Sequence, residues 1–170
     1  MILGLSIPAF TALHVVISLI GIVSGLVALP VLARGRFLPR THALFLVTTL
    51  LTSLTGFLFP FRGFTPAIGV GILSTLVLMI ALVALYGLRL RDRARHVYAV
   101  TATLALWLNL FVLLVQGFLK LPLLHALAPD GKEPPFLAAQ GLLLILMLIL
   151  GVAILRQPSA ARKAASRPMA

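Results

Sequence analysis

Six polar residues near the ends of long apolar segments are the residues of this sequence whose types and positions best suit a binding site. Three of them, Asn109, Gln116 and Lys120, are separated by seven and four residues and therefore share one face of a helix. Placing a polar group in apolar surroundings costs free energy unless the group forms hydrogen bonds with a partner or with water. We therefore expect these residues to face the interior of a helical bundle. The full set is His14, Asn109, Gln116, Lys120, Glu133 and Gln140.

Two interpretations of this polar cluster remain open from the sequence. In the first, the cluster is a hydrogen-bonded network that locks helices together, while Lys120 extends to the membrane interface and pairs with Glu133. In the second, the cluster binds a small or lipid-like ligand, or a partner subunit, in a non-enzymatic protein.

The four histidines suggest an alternative chemistry, because they form two pairs near opposite ends of the predicted helices. Such pairs are typical of membrane subunits that hold b-type haem, so a redox subunit that binds haem or quinone is the alternative function. The outer pair could also hold a transition metal. The inner pair lies within two residues of arginine at helix starts, which is typical of ordinary interface residues. The outer pair is His14 and His125, and the inner pair is His42 and His96.

Several kinds of catalytic site are missing from the sequence. It has no cysteine, which excludes disulfides, thiolate metal sites and cysteine nucleophiles. The acidic residues Asp92, Asp130 and Glu133 all lie outside the apolar segments, so no carboxylate is placed to couple transport to a proton or sodium gradient. No HExxH, Walker or GxSxG motif is present. These absences favour a non-enzymatic protein.

Composition places the chain in a lipid bilayer. Hydrophobic residues make up 61% of its 170 residues and charged residues 10%, and its mean hydropathy is +1.17. Soluble domains are about half apolar and about a quarter charged. The net charge of +11 lies in short segments between apolar runs, where membrane orientation explains it better than nucleic-acid binding does. The expected partner is the lipid bilayer, and a homo-oligomer or a larger membrane complex remains open.

Five apolar runs are each long enough to cross the bilayer as a helix. About 20 residues at 1.5 Å per residue span the ~30 Å hydrocarbon core, whereas barrel strands need only about 10 residues. The sequence therefore predicts an all-α integral membrane protein, a single bundle over residues 1–155 with a basic, disordered tail over residues 156–170. The predicted transmembrane helices span about 8–33, 41–61, 66–88, 96–121 and 135–155, and the Pro-rich stretch 122–134 is predicted to be an irregular loop.

Basic residues are divided unevenly between the two sides of this predicted bundle. With five crossings, eleven of the 14 Lys and Arg residues fall on one side and three on the other. Because basic residues in short loops favour the cytoplasm, the N-terminus should face out and the C-terminus, with its tail, in. The eleven are Arg34, Arg36, Arg40, Arg89, Arg91, Arg93, Arg95, Arg156, Arg162, Lys163 and Arg167, and the three are Arg62, Lys120 and Lys132.

One stripe of small or polar residues along the first predicted helix indicates a close helix contact. Gly21 and Gly25 are four residues apart in this stripe, and small residues at such spacing let helix backbones approach closely in a membrane. The stripe consists of Thr11, His14, Ser18, Gly21, Gly25 and Ala28.

Four stretches of the sequence resemble a group of small, uncharacterised bacterial multi-pass inner-membrane proteins. They include all six residues of the polar cluster and lie within most of the chain except the tail. The resemblance implies a multi-pass protein of the bacterial inner membrane and implies no activity. The stretches are LSIPAFTALHVVISLIG at 5–21, LTSLTGFLFPF at 51–61, LNLFVLLVQGFLK at 108–120 and EPPFLAAQ at 133–140.

Overall fold

A computed structural model describes residues 1–60, 63, 65–91 and 93–157 of the chain. Within these residues the protein is helical and has no strands, which confirms the all-α part of the predicted fold class. The predicted tail lies almost wholly outside the described residues, as do Arg62 and Asp92. The helices are α1 Ile7–Ala33, α2 Pro39–Gly56, α3 Pro66–Leu82 with a π-helical turn at Val83–Gly87, α4 Ala94–Lys120, α5 Pro122–Leu127 and α6 Pro134–Leu155.

Local sequence signals begin several of these helices. The Ser6 hydroxyl accepts a hydrogen bond from the Ala9 amide at the start of α1, and the Thr65 hydroxyl accepts one from the Ile68 amide at the start of α3. These bonds satisfy amides that have no partner within the helix. A proline in the first turn, where no amide donor is needed, opens each helix except α4.

Four helices are long and apolar enough to cross a membrane. They are α1, α3 together with its π-helical turn, α4 and α6, and each agrees with a predicted span to within two residues at either end. The described structure therefore has the character of a membrane protein with four candidate spans. The helix α2 is shorter and richer in Thr and is not among the four.

Two predicted boundaries differ from the structure. The second helix ends at Gly56 instead of residue 61, because the residue before Pro60 disfavours helical backbone and the chain turns ahead of it. The stretch 122–134, predicted to be irregular, contains the short helix α5. Pro122 supplies a preset first turn, and the Leu124 side chain lies close to Gly117 of α4.

The helix α4 is the centre of the bundle, because α1, α2, α3, α5 and α6 all contact it. Its inward face is formed by Ala102, Ala105 and Leu106, which are fully buried. Small side chains at these positions let the neighbouring helices approach closely. By contrast, α6 lies at the periphery and buries only Met147 and Ile154.

The two glycines of the predicted stripe do lie at a close helix contact. A side chain at Gly21 would meet the Thr49 hydroxyl of α2 at 2.9 Å, and one at Gly25 would meet Phe45 of α2 and Leu106 of α4 at 2.8 Å each. A larger residue at either position would require these neighbouring side chains to move. The prediction of a close contact along this face of α1 is therefore confirmed.

Successive long helices run antiparallel, which gives the bundle two distinct ends. At one, here called the polar end, His14 of α1 lies beside Thr55 of α2, and Phe118 of α4 packs on Phe136 of α6. At the other, here called the basic end, the side-chain amide of Gln157 donates to the Ala33 carbonyl. The basic end holds the described arginines Arg34, Arg36, Arg40, Arg89, Arg91, Arg93, Arg95 and Arg156.

Candidate binding site at the polar end

His14 links α1 to α2 at the polar end. Its Nδ1 atom lies 2.8 Å from the Thr55 hydroxyl, and its ring packs edge-on against Phe59 with the ring centres 5.4 Å apart. The Thr55 hydroxyl donates its proton to the Leu51 carbonyl at 2.7 Å. Thr55 must therefore accept from His14, which assigns the proton of the neutral ring to Nδ1. The Nε2 atom is left as a hydrogen-bond acceptor.

Asn109 links α4 to α1 one turn deeper. The Ser18 hydroxyl donates to the Asn109 side-chain oxygen at 3.0 Å. Asn109 is buried, and its side-chain Nδ2 group has no hydrogen-bond partner in the described part of the chain. The Asn109 amide is therefore an unsatisfied donor inside the bundle.

Beyond the Ser18–Asn109 bond, the face of α4 that packs on α1 becomes exposed. The residues Ala102, Ala105 and Asn109 on this face are buried, whereas Gln116 and Lys120, further towards the polar end, are exposed. Leu113, between them, is 40% exposed. The residues that continue this face towards the polar end are here grouped with His14 of α1 as the polar wedge, which consists of His14, Asn109, Gln116 and Lys120.

Gln140 does not join the polar wedge. Its side-chain Nε2 group donates to the Phe111 carbonyl of α4 at 3.3 Å, and its Oε1 atom is buried with no partner in the described residues. Phe111 and Asn109 are two residues apart on a helix and point to nearly opposite sides. Gln140 therefore joins α6 to α4, whereas Asn109 joins α4 to α1.

Glu133 also lies apart from the polar wedge. Its two carboxylate oxygens accept hydrogen bonds from the Asp130 and Lys132 amides at 2.9 Å each, and so close the loop that precedes α6. The bond from the Asp130 amide, followed by those from other amides of this loop, holds the pKa of the carboxyl below its usual range. The carboxylate is thus engaged within its own loop, and the pairing with Lys120 expected for a structural network is not seen between these two described residues.

His42 occupies a different environment from the one predicted. It is fully buried, its Nδ1 atom lies 2.6 Å from the Tyr98 hydroxyl, and Phe37 stacks on its ring at 4.3 Å. The prediction of an ordinary interface residue is therefore wrong, because the face of α2 that carries His42 packs against α4. Sequence reasoning missed Tyr98, although it precedes Ala102 and Ala105 by four and seven residues on the buried face of α4.

The histidines are poorly arranged for haem or metal. His42 would have to leave Tyr98 and Phe37 to bind haem, and His96 and His125 are exposed at opposite ends of the bundle. Among the described residues, no group of three or more His, Cys, Asp or Glu side chains could hold a metal ion. The geometry gives no support to the redox alternative.

The polar wedge combines groups suited to recognition. His14 Nε2 can accept a hydrogen bond, Asn109 Nδ2 and Lys120 can donate, and Gln116 can do both. The nearby hydroxyls of Ser18 and Thr55 already donate to Asn109 and to the Leu51 carbonyl. No protein-family model, no curated protein and no solved structure matches the chain.

Proposed function

We propose that this protein is a non-enzymatic, multi-pass membrane protein that binds a small amphiphilic molecule in the polar wedge. The observation that supports the proposal best is the change along one face of α4, which is buried as far as Asn109 and exposed and polar at Gln116 and Lys120. Polar residues within membrane-spanning helices cost free energy, and they commonly mark ligand sites when they face a cavity.

The chemistry of the wedge favours a ligand with a polar head and an apolar body. Lys120 and the Asn109 amide can bind an anionic or carbonyl oxygen, and the acceptor on His14 can bind a hydroxyl or amide proton. The exposed Leu113 side chain and the surrounding hydrocarbon would receive the apolar part. The polar wedge could contact a helix of a partner subunit only if that helix supplied polar groups at this depth.

The proposal includes α2 as a fifth crossing. Its 18 residues would extend about 27 Å, close to the ~30 Å hydrocarbon core. The side chains on its outer face are apolar, and its Thr hydroxyls donate to carbonyls one turn back, as at Thr48 and Thr52. Hydroxyls bonded in this way are compatible with lipid. The outer face consists of Leu44, Val47, Leu51 and Leu54, all exposed.

Five crossings with the basic end in the cytoplasm would place the N-terminus and the polar wedge outside. The concentration of arginines at the basic end supports this orientation, since basic residues in short loops are retained in the cytoplasm. The resemblance of four sequence stretches to bacterial multi-pass proteins supports the bacterial inner membrane as the location.

The ligand proposal is tested by native mass spectrometry of the protein extracted from its membrane. We expect a small amphiphile to be retained by the wild type and its occupancy to fall about tenfold, or about 1.4 kcal/mol, in each of His14→Ala, Gln116→Ala and Lys120→Ala.

The matched controls are His125→Ala and Lys132→Ala, which alter exposed residues of the same types at the same end but outside the wedge. They should retain the molecule at the wild-type level. Equal retention by wedge and control variants would refute the proposed site.

A further inference from the structure

The segment that joins α3 to α4 has an unusual backbone. After the π-helical turn, the Leu88 amide donates to the Val83 carbonyl at 2.8 Å and the Leu90 amide to the Ala84 carbonyl at 3.0 Å. Arg89 and Leu90 follow one another in the left-handed region, with φ of 50° and 55°. Residues other than glycine are strained there, and such strain persists only where the surrounding structure enforces it. Here Leu90 packs against the hydrophobic core, which fixes the segment.

This fixed segment borders a cleft at the basic end. The cleft has a volume of about 670 Å³ and is lined by Gly87, Leu88, Arg89, Arg91, Arg93 and Ala94. A volume of this size is typical of small-molecule sites. Three of the lining residues within a stretch of five are arginines, and the guanidinium group forms paired hydrogen bonds with phosphate oxygens. We call this feature the arginine cleft.

The surroundings of the arginine cleft indicate a lipid. Large apolar side chains on the turn leading into it, Val83, Tyr86 and Leu88, are each more than half exposed. They continue the apolar surface of α3, along which an acyl chain would lie, while the arginines lie at the end of the bundle where headgroups are found. A free anion would use the arginines but would gain nothing from this apolar rim.

We infer that the arginine cleft binds one phospholipid with an anionic headgroup, its phosphate held by Arg89, Arg91 and Arg93 and its acyl chains along the exposed side of α3. The segment 89–95 contains four arginines and one acidic residue, Asp92, so the local charge favours an anionic over a zwitterionic headgroup. This site is at the opposite end of the bundle from the polar wedge and does not depend on the ligand proposed there.

The test uses the full-length protein in detergent, titrated separately with phosphatidylglycerol and phosphatidylcholine of the same chain length and followed by native mass spectrometry. We expect one phosphatidylglycerol to bind at least about tenfold more tightly than phosphatidylcholine. The triple variant R89Q/R91Q/R93Q should lose about tenfold or more of this affinity.

A matched triple variant, R34Q/R36Q/R40Q, removes the same number of exposed arginines from the same end of the bundle. It should change the affinity by less than about twofold, since long-range attraction to one lipid is weak in comparison with direct contacts. Equal loss in both triple variants, or equal binding of the two lipids by the wild type, would show general charge attraction and overturn the assignment.

Two further measurements keep the test decisive if R89Q/R91Q/R93Q fails to fold, as judged by circular dichroism. The variant R89K/R91K/R93K keeps all three charges but lacks the planar guanidinium groups that donate paired hydrogen bonds. It should bind phosphatidylglycerol more weakly than the wild type. Inorganic phosphate at millimolar concentration should not displace the lipid from the wild type. Wild-type affinity in the lysine variant, or displacement by phosphate alone, would overturn the proposed lipid site.

Discussion

At the scale of single residues, the pair formed by His42 and Tyr98 is the clearest polar contact in the core. Both side chains are fully buried, and the Nε2 atom of His42 has no partner in the described part of the chain. The Nδ1 contact with the Tyr98 hydroxyl is thus the only hydrogen bond of the His42 ring seen among described residues. Buried polar groups are costly when left without partners, so this bond should contribute to stability.

We predict that Tyr98→Phe lowers the free energy of unfolding by about 1 to 3 kcal/mol, because it leaves both nitrogens of a buried imidazole without a partner. Thermal unfolding in detergent, followed by circular dichroism, measures the change. Tyr86→Phe is the control, since Tyr86 is 56% exposed and should tolerate the loss of its hydroxyl. A melting temperature for Tyr98→Phe that matches that of Tyr86→Phe would contradict the role given to the pair.

The sequence predicted the surroundings of some residues and not of others. The periodicity of α4 correctly grouped Asn109, Gln116 and Lys120, because residues on one helix keep their relative directions whatever packs beside them. It could not show that Gln140 meets the opposite side of α4 or that His42 is buried. Those outcomes depend on how one helix is rotated about its axis relative to its neighbour. Hydrophobic periodicity hardly constrains this rotation, because the helices are apolar on nearly all faces.

At the scale of helices, the contact of α1 with α2 and α4 depends on the absence of a side chain at Gly25. A Cβ atom there would come within 2.8 Å of both Phe45 and Leu106, each of which is fully buried and has little room to move. The spacing of Gly21 and Gly25 predicted a close contact, but it could not name the partner helices. Long apolar helices were predicted within two residues, whereas α5 was missed because its six residues are too few for a periodic pattern.

We predict that Gly25→Ala destabilises the bundle by about 1 to 3 kcal/mol through overpacking. Gly141→Ala is the matched control in α6, because nothing lies within 4 Å of the added methyl group. The control should be neutral or stabilising by up to about 1 kcal/mol, owing to the better helix propensity of alanine. Unfolding in detergent compares the two variants, and equal stability of both would argue against close packing at Gly25.

At the scale of the whole molecule, the bundle has two chemically different ends. Eight of the described arginines lie at the basic end, while the polar wedge lies at the other end, so the proposed ligand site and the proposed lipid site would face opposite sides of the membrane. This division requires α2 to cross the bilayer. Were α2 to stay on one side, the chain before and after it would share that side.

The most direct test labels single cysteines on either side of α2, in a chain that has no cysteine of its own. Arg36→Cys and Leu58→Cys change exposed residues before and after the helix. In right-side-out spheroplasts, a membrane-impermeant maleimide should label Leu58→Cys at once and Arg36→Cys only after permeabilisation. Labelling of both variants on one side would contradict the fifth crossing, and labelling of only Arg36→Cys in intact spheroplasts would place the polar wedge in the cytoplasm.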